Sequence, residues 1–591
     1  MAPSATSYMN GSVPRILVPE KVSPDGLSLL QDANFEVDVR PGLAADELMS
    51  LIPSYHALIV RSETKVTSEV LTAASKLRVV ARAGVGVDNI DVEAATAHGI
   101  IVVNSPAGNI VAAAEHTIAL LLATARNVGR ADAGVKGGKW ERSKLVGVEV
   151  ARKVLGIVGL GKVGMKVARM AIGLGMKVVG VDPYMSADIA RQNGVEMVGS
   201  LEEMLPEVDF LTIHTPLIAS TLNLLGEKEF QTMKKTARVL NVARGGIYNE
   251  EALVKALDEG WIAGAGIDVF TSEPVKADST AEKLSQHPKC VATPHLGAST
   301  VEAQENVSLD VCKQVVEILR GGLPTAAVNA PLILPEEYRK LQPYVRLVER
   351  MGGLYTQHFV GGRGGMIGGR RFELRYHGEL AGVSNTRPLF AALVKGLTSS
   401  ISDSGGRDVN IVNAGLIAKD KGIAISETHA REASKEDLVY ASLVTLRSSS
   451  LSSSASSKDN GGGEQVIEGY VNGAEVQISR LDRFTCSFAP EGTLLVLHNY
   501  DEPGKVGNVG MILGRFGINV TFMQVAAGLD KKAAVLPAGG PLDGSDGNAV
   551  KKRKGGNEAL MILGVDGDVT KEVLEDLGRS EGILDVNLVR L

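Results

Sequence analysis

Four short stretches of this 591-residue chain carry residue types suited to moving a hydride and a proton. The first is Val154-Leu155-Gly156-Ile157-Val158-Gly159-Leu160-Gly161-Lys162-Val163-Gly164, an apolar run ending in a GxGxxG turn. Gly159 permits a tight turn, Gly161 lets a pyrophosphate approach the backbone, and Gly164 lets helix and strand pack closely. A helix expected at Met165–Ala171 offers free N–H groups and the positive end of its dipole to that anion. Asp182 lies 18 residues beyond Gly164, near the spacing of an acid that hydrogen-bonds an adenosine ribose. A carboxylate there repels a 2′-phosphate, so NAD is favoured over NADP.

The other three stretches each place one polar residue at the end of a strand-like run or in a loop. Arg244 stands in Asn241-Val242-Ala243-Arg244-Gly245-Gly246, where two glycines clear space beside it. Glu273 stands in the turn Asp268-Val269-Phe270-Thr271-Ser272-Glu273-Pro274, and His295 in Thr293-Pro294-His295-Leu296-Gly297-Ala298-Ser299-Thr300. Oxidising a 2-hydroxy acid needs these types. A base takes the hydroxyl proton as hydride leaves C2, and imidazole titrates nearest neutral pH. A carboxylate beside it fixes the tautomer, and a guanidinium grips the substrate carboxylate and polarises the C2 oxygen. Singly, each has a bland reading: a structural histidine, a surface ion pair, a solvated turn. In this order, downstream of a dinucleotide turn, the chemical reading is favoured.

Such residues need a sheet edge to gather them, and the chain supplies one. Strand-like runs at Ile16–Pro19, Ala57–Val60, Val79–Ala81 and Ile101–Val103 alternate with helical stretches such as Glu69–Ala74 and Val92–His98, the rhythm of a doubly wound α/β domain. Val111–Ala125 is too long and Ala/Leu-rich for a strand and reads as a buried helix. A second series follows at Lys153–Val158, Lys177–Asp182, Phe210–His214, Val239–Asn241 and Gly264–Asp268. Beyond Pro335 the rhythm weakens. Gly352–Gly369 carries eight glycines with Arg363, Arg370 and Arg371, which suit either an anion-holding nest or, preferably, a flexible loop with solvated arginines. Ser448–Gly463 is low in complexity and reads as a solvated loop. The last hundred residues recover order: strand Thr493–His498, helix Gly504–Phe516, strands Ile518–Val525 and Leu560–Val565, helix Thr570–Leu577, strand Ile583–Val589. That is the ferredoxin-like βαββαβ order. An insert, Gly528–Asn557, interrupts it and holds the basic run Lys551–Lys554, a solvated loop in preference to a localisation signal.

Composition narrows the field. At roughly 150 residues per domain the length suggests about four domains. Hydrophobic residues at 44% and charged residues at 22% exclude global disorder. Lys+Arg 62 against Asp+Glu 68, a net charge of −6, gives no electrostatic reason to expect nucleic acid. The longest apolar run, Thr117–Ala125, is too short to span a bilayer, so no membrane partner is expected. Three scattered cysteines, Cys290, Cys312 and Cys486, fit neither a disulfide framework nor a metal cluster, and no metal is expected. The first 13 residues lack a basic residue and an apolar core, so they do not read as a secretory signal. The cytoplasm is the default, with a plastid as the alternative if a transit segment is missing.

Residues 14 to 335 resemble the D-isomer-specific 2-hydroxyacid dehydrogenases. The matching segments are Arg82-Ala83-Gly84-Val85-Gly86-Val87-Asp88-Asn89-Ile90-Asp91, the GLGKVG turn, NVARGG, DVF-x-x-EP and PHLGAST. Within that family, Val60-Arg61-Ser62-Glu63-Thr64-Lys65-Val66-Thr67 is similar to the phosphate-contacting segment of the D-3-phosphoglycerate dehydrogenase branch. The resemblance implies a substrate-binding domain split between 14–108 and 296–335, around an NAD-binding Rossmann domain at 109–295. It makes Arg244, Glu273 and His295 the catalytic set. Arg61, Ser62, Arg82 and Gly84 would hold the phosphate and carboxylate of 3-phosphoglycerate. Val85, Lys162, Val163, Thr215, Val242, Asp268, Gly297 and Ala298, with Arg244, His295, the three glycines of the turn and Asp182, would line the NAD pocket. Val85 departs from the hydroxyl residue relatives often carry, which puts one cofactor hydrogen bond in doubt. Glu273 argues against a formate dehydrogenase, which carries an amide there.

The implied reaction is oxidation of 3-phospho-D-glycerate to 3-phosphohydroxypyruvate with NAD, the first step of the phosphorylated route to L-serine, by a homotetramer. The alternatives are a hydroxypyruvate or glyoxylate reductase, which does not need Arg61, and a non-catalytic nucleotide-sensing corepressor scaffold, which normally lacks the C-terminal module. Residues 336–490 take the place of the intervening α+β domain of the longest members. Residues 491–591, with His498-Asn499-Tyr500-Asp501-Glu502-Pro503-Gly504-Lys505-Val506-Gly507 and Phe516-Gly517-Ile518-Asn519-Val520, resemble an ACT domain. Asn499, Asp501, Gly504 and Asn519 would then bind L-serine for feedback inhibition. A module that only dimerises is the alternative.

Overall fold

The structure is a computed structural model that describes residues 13–333, 335–361, 367–399, 409–430, 441–450, 465–473, 475–527 and 558–591. By internal packing the chain divides into two units, 1–90 with 103–322, and 91–102 with 323–591.

Two parallel sheets carry the N-terminal half. The first runs Glu36–Val39, Arg15–Val18, Ala57–Val60, Val79–Arg82, Ile101–Asn104, an order of 2-1-3-4-5 along the chain. Four of these strands are the short apolar runs legible in the sequence. The fifth, Glu36–Val39, is an edge strand of alternating acid and valine that leaves no residue fully buried, so it lacks the continuous apolar signature of a buried parallel strand. The second sheet has seven strands: Cys290–Ala292, Gly264–Ile267, Arg238–Asn241, Phe210–Ile213, Val154–Val158, Lys177–Val181 and Val195–Met197. Its two outermost strands have only three residues each, too short to stand out in the sequence. Winding reverses between Val154–Val158 and Phe210–Ile213, and ligands of open α/β sheets bind beyond the carboxyl ends of the strands at such a switch. Helix Ile110–Ala125 packs on this sheet, burying Ala112, Ala114, Thr117, Leu120, Leu121, Thr124 and Ala125. Its Ala/Leu content gives both the helix and the close approach.

The described residues of the second unit hold more regular structure than their sequence suggests. A six-stranded sheet runs Ala424–Ala430, Arg370–Gly378, Ser442–Ser450, Gln465–Asn472, Glu475–Leu481, Phe484–Phe488, parallel only between the first two. The expected glycine-rich flexible loop is corrected at its start, while 362–366 lie outside the described residues. Gly352 and Gly353 lie buried in helix Pro335–Tyr355, and a Cβ on Gly352 would sit 2.8 Å from Leu397 N of helix Arg387–Thr398. Gly352 serves helix contact. Arg370 is likewise not solvated: its Nη1 donates to Tyr355 Oη at 2.8 Å and Gln465 Oε1 at 2.9 Å. Arg371 is exposed and Arg363 lies outside the described residues. Ser448–Ser450 also depart from expectation, since they continue a strand, where Ser448 Oγ accepts from Tyr355 Oη at 2.8 Å. Serine-rich sequence hid a strand in which the Ser442 and Ser448 hydroxyls are hydrogen-bonded within the fold. The remainder of that segment, and the insert with Lys551–Lys554, lie outside the described residues.

The C-terminal sheet runs Asn519–Ala527, Glu558–Asp566, Thr493–Tyr500, Ile583–Arg590, all antiparallel. With helices Lys505–Arg515 and Lys571–Arg579 this is the expected βαββαβ fold. Strand alternation sends Leu495, Leu497, Met561 and Leu563 into the core beneath the helices. Leu494, Val496, Leu560 and Ile562 enter the core shared with the six-stranded domain. Among the described residues no helix is long and apolar enough to cross a membrane.

Candidate active site

Every residue the sequence singled out in the seven-stranded domain follows the carboxyl end of a strand or opens the helix after it. Gly159 ends Val154–Val158 in a left-handed conformation, φ +90°. A Cβ there would lie 2.7 Å from the His214 carbonyl oxygen, so the turn presses against the strand across the switch point. Gly161 caps helix Lys162–Gly173 with open space around its Cβ position, whereas a Cβ on Gly164 would run into the Gly159 carbonyl oxygen. Lys162 is exposed and Val163 half-buried at the helix start. Asp182 follows Lys177–Val181, and its carboxylate accepts from Leu160 N–H at 2.7 Å and Tyr184 N–H at 2.8 Å. It therefore anchors the glycine turn as well as ending the second strand. Thr215 follows Phe210–Ile213, and its buried Oγ1 has no hydrogen-bond partner. Buried hydroxyls are ordinarily satisfied. The orphan hydroxyl, the clear space at Gly161 and the N–H groups of the helix start together fit a dinucleotide.

On the far side of the switch, Val242 is buried and Arg244 projects from the turn after Arg238–Asn241. Asn241, which the sequence reading did not single out, shapes that turn. Its Nδ2 donates to the Arg244 carbonyl at 2.8 Å and its Oδ1 accepts from Ala243 N–H at 3.0 Å. Arg244 Nε sits 3.3 Å from Asp88 Oδ2. Asp268 follows Gly264–Ile267 with no exposed surface. It accepts from Thr293 Oγ1 at 2.6 Å, Leu296 N–H at 2.7 Å and Gly297 N–H at 2.9 Å, with His116 Nε2 3.1 Å away. Burial alone would raise its pKa, but the hydrogen bonds from His116, Thr293 and Leu296 N–H hold it below the usual carboxylate value. Ala298 is half-buried in the turn that follows.

Glu273 and His295 meet. Their Oε2 and Nδ1 are 2.7 Å apart, and Glu273 Oε1 accepts from Phe270 N–H at 2.9 Å. Burial acts to raise the Glu273 pKa, yet the bonds from His295 and Phe270 outweigh it and the carboxyl titrates below its ordinary value. Both side chains keep access to solvent, 44% for His295 and 37% for Glu273, so the outer edge of the imidazole can be reached.

In the first sheet, Arg82 ends Val79–Arg82 and donates from Nε to Asn89 Oδ1 at 3.0 Å. Burial, then the positive charge of Arg244, lowers its pKa from the usual guanidinium value. Two guanidinium groups from two sheets converge on one turn, where a Cβ on Gly84 would meet Arg82 and one on Gly86 would meet Arg244, with half-buried Val85 between them. The Val85 carbonyl oxygen accepts from the Asn104 side-chain amide. Arg61 and Ser62 stand in a turn organised by two residues the sequence reading missed. Buried Glu20 accepts from the N–H groups of Arg61 at 2.8 Å, Glu63 at 3.2 Å and Thr64 at 3.0 Å. Asn89 Nδ2 donates to the carbonyls of Arg61 at 2.9 Å and Thr64 at 2.7 Å.

In the second unit, Gly504 caps helix Lys505–Arg515 at φ +87°, Asp501 is exposed just before it, and Asn519 opens the next strand. Asn499 is buried, with Nδ2 on the Tyr500 carbonyl at 2.9 Å and Oδ1 without a partner.

Comparison with known proteins agrees with this architecture. Residues 118–297 match the D-isomer specific 2-hydroxyacid dehydrogenase, NAD binding domain family, and 340–458 match the D-3-phosphoglycerate dehydrogenase intervening domain family. The chain is 43% identical to D-3-phosphoglycerate dehydrogenase 2, chloroplastic, of Arabidopsis thaliana, over 93% of this chain and 86% of that protein. It is 37% identical to the D-3-phosphoglycerate dehydrogenase of Synechocystis sp., over 100% of this chain and 97% of the relative. A solved structure described as a D-isomer specific 2-hydroxyacid dehydrogenase from Polaromonas sp. JS6 66 is 24% identical, with a TM-score of 0.50 over 54% of this chain and 100% of its own. That likeness shows the fold of the N-terminal half. The chain belongs to the D-3-phosphoglycerate dehydrogenase family of NAD-dependent oxidoreductases.

Proposed function

We propose that this chain oxidises the C2 hydroxyl of 3-phospho-D-glycerate to give 3-phosphohydroxypyruvate, opening the phosphorylated route to L-serine. The observation that carries the reading is the 2.7 Å pair of His295 Nδ1 and Glu273 Oε2 at the carboxyl edge of a dinucleotide-type sheet. A carboxylate can only accept, so it fixes the imidazole proton on Nδ1 and leaves Nε2 as the base for the substrate hydroxyl. As that proton arrives, Glu273 stabilises the imidazolium. NAD, when bound, supplies the acceptor for the hydride leaving C2. Arg244 holds the substrate carboxylate and polarises the C2 oxygen, while Arg82, Arg61, Ser62 and Gly84 hold the remaining anionic charge. Val85, Gly159, Gly161, Lys162, Val163, Gly164, Asp182, Thr215, Val242, Gly297 and Ala298 line the cofactor site, and Asp268, expected there from the sequence, acts from beneath it with no exposed surface of its own.

The test is NADH formation from 3-phosphoglycerate and NAD at mildly alkaline pH, beside reduction of hydroxypyruvate and glyoxylate. Preference for the two unphosphorylated acids would move the chain to the reductase reading. Inactivity with every acid would leave the corepressor-scaffold reading.

Two finer readings have their own support. Buried, unpartnered Asn499 Oδ1 beside exposed Asp501 supports an L-serine site with Gly504 and Asn519, and millimolar serine in the same assay tests it. Helix Val128–Lys136 buries none of its residues, and Trp140 and Val146 are 84% and 80% exposed. Such apolar exposure supports self-association into a homotetramer, which light scattering tests. The chloroplastic naming of the Arabidopsis relative supports a plastid address over the cytoplasm, and fractionation separates the two.

A further inference from the structure

His295 holds a backbone conformation that side-chain-bearing residues seldom take, with φ +55°. Asp268 grips both sides of it. The Asp268 carbonyl accepts from His295 N–H at 2.9 Å. Its carboxylate accepts from the next two N–H groups, Leu296 at 2.7 Å on Oδ1 and Gly297 at 2.9 Å on Oδ2. Three successive amides around the imidazole are therefore fixed by one residue with no exposed surface. A non-glycine residue in the left-handed region persists only where its surroundings over-determine it, and here Asp268 does that.

The carboxylate needs its own anchor. Oδ1 also receives the Thr293 hydroxyl at 2.6 Å, and His116 Nε2 lies 3.1 Å from it. His116 Nε2 is also 3.1 Å from Thr293 Oγ1; the Thr293 hydroxyl donates to Asp268 at the shorter 2.6 Å and a carboxylate supplies no proton, so the network assigns one to His116 Nε2. His116 belongs to helix Ile110–Ala125, which packs on strands Gly264–Ile267 and Arg238–Asn241. Thr293, Leu296 and Gly297 are all neighbours of His295 in the chain. The imidazole of His116 instead ties the buried carboxylate to a different, rigid element.

We propose that His116 and Asp268 form a clamp that sets the backbone geometry of His295, with His116 acting as a positioning residue through Asp268. This rests on the reading of His295 as the base. A displacement on the order of 1 Å at a reacting group can cost about 100-fold in rate, so the clamp is expected to act on kcat rather than on binding.

The test uses the full-length protein and three substitutions. His116→Phe keeps ring volume without a donor, His116→Gln keeps an N–H donor, and His116→Ala removes both. Hydrogen–deuterium exchange over residues 293–300 is measured without substrate, together with kcat, the NAD KM and the NADH Kd. The clamp predicts that Phe and Ala speed exchange at Leu296 and Gly297 by about tenfold or more. It predicts a kcat lower by about 10–100-fold, a KM and Kd within about threefold, and recovery of most of the loss by Gln. Unchanged exchange and kcat in the Phe variant would overturn it. So would equal damage by Gln and Phe, which marks a packing or unrelated role. A Kd that rises in proportion to the fall in kcat would instead place His116 in the cofactor pocket. If the wild type turns over hydroxypyruvate or glyoxylate in place of 3-phosphoglycerate, the proposed reaction fails while the variants are scored on that acid. If it turns over none, unaltered exchange alone overturns the clamp.

Discussion

Glu273 Oε2 lies 2.7 Å from His295 Nδ1, and the other carboxylate oxygen accepts from the Phe270 N–H. The carboxylate is thereby fixed at both oxygens, and the imidazole inherits its orientation and its tautomer. Glu273→Gln keeps the shape and replaces one acceptor with a donor. The expected result is a kcat lower by about 100-fold with NADH affinity nearly unchanged, measured by steady-state kinetics and fluorescence titration.

The same pair sets a pH dependence of stability. Glu273 titrates below its ordinary value of 4.5 in the fold, so the native state binds its proton less readily than the unfolded chain. Its contribution is present above that ordinary value and is lost as pH falls through the native one. Melting temperatures of wild type and Glu273→Gln should therefore differ at neutral pH and converge in acid. A gap that widens on acidification would contradict the assignment.

Gly161 and Gly164 should respond differently to the same methyl group. Alanine at Gly164 meets the Gly159 carbonyl, and Gly164→Ala should destabilise the fold by about 1–3 kcal/mol. Alanine at Gly161 meets nothing. Gly161→Ala should keep its melting temperature and lose NAD affinity, because the methyl takes the room a pyrophosphate needs. Thermal melts paired with NADH titrations check both.

Asp182 excludes a 2′-phosphate and also holds Leu160 N–H. Asp182→Ser should raise the NADP-to-NAD ratio of kcat/KM by about tenfold or more, since removing one repulsive charge is worth on the order of 1.4 kcal/mol. It should weaken NADH binding at the same time by loosening the turn.

Arg61 depends on Glu20 for its loop. Arg61→Ala should raise KM for 3-phosphoglycerate by about tenfold or more, the loss of one charge-assisted contact, and leave hydroxypyruvate reduction little changed. Glu20→Ala should raise the same KM while also lowering the melting temperature, because it strips a buried acceptor from three N–H groups.

What the sequence disclosed was set by range. The glycine turn, Asp182, Arg244, Glu273 and His295 stand in compact segments whose neighbours announce a strand end or a turn. Glu20 and Asn89 work across gaps of 25 to 44 residues, and His116 reaches a carboxylate 152 residues away. Nothing local distinguishes them from a surface acid, a turn amide or a helix-face histidine. In the second unit the obstacle was composition. Gly352 and Gly396 resemble linker residues yet serve a tight helix contact. Ser448 resembles a solvated tract yet closes a buried hydrogen bond with Tyr355. The ferredoxin-like end was legible because its two central strands, Thr493–Tyr500 and Glu558–Asp566, are nearly continuous apolar runs covered on both faces.

The most direct test follows the hydrogen itself. 3-Phospho-D-glycerate deuterated at C2 is incubated with NAD and the full-length protein, and the products are examined by NMR, with His295→Ala as the control. Deuterium at C4 of the reduced nicotinamide, abolished in the control, is the result expected. Deuterium lost to water, or transfer undiminished in His295→Ala, would contradict the account.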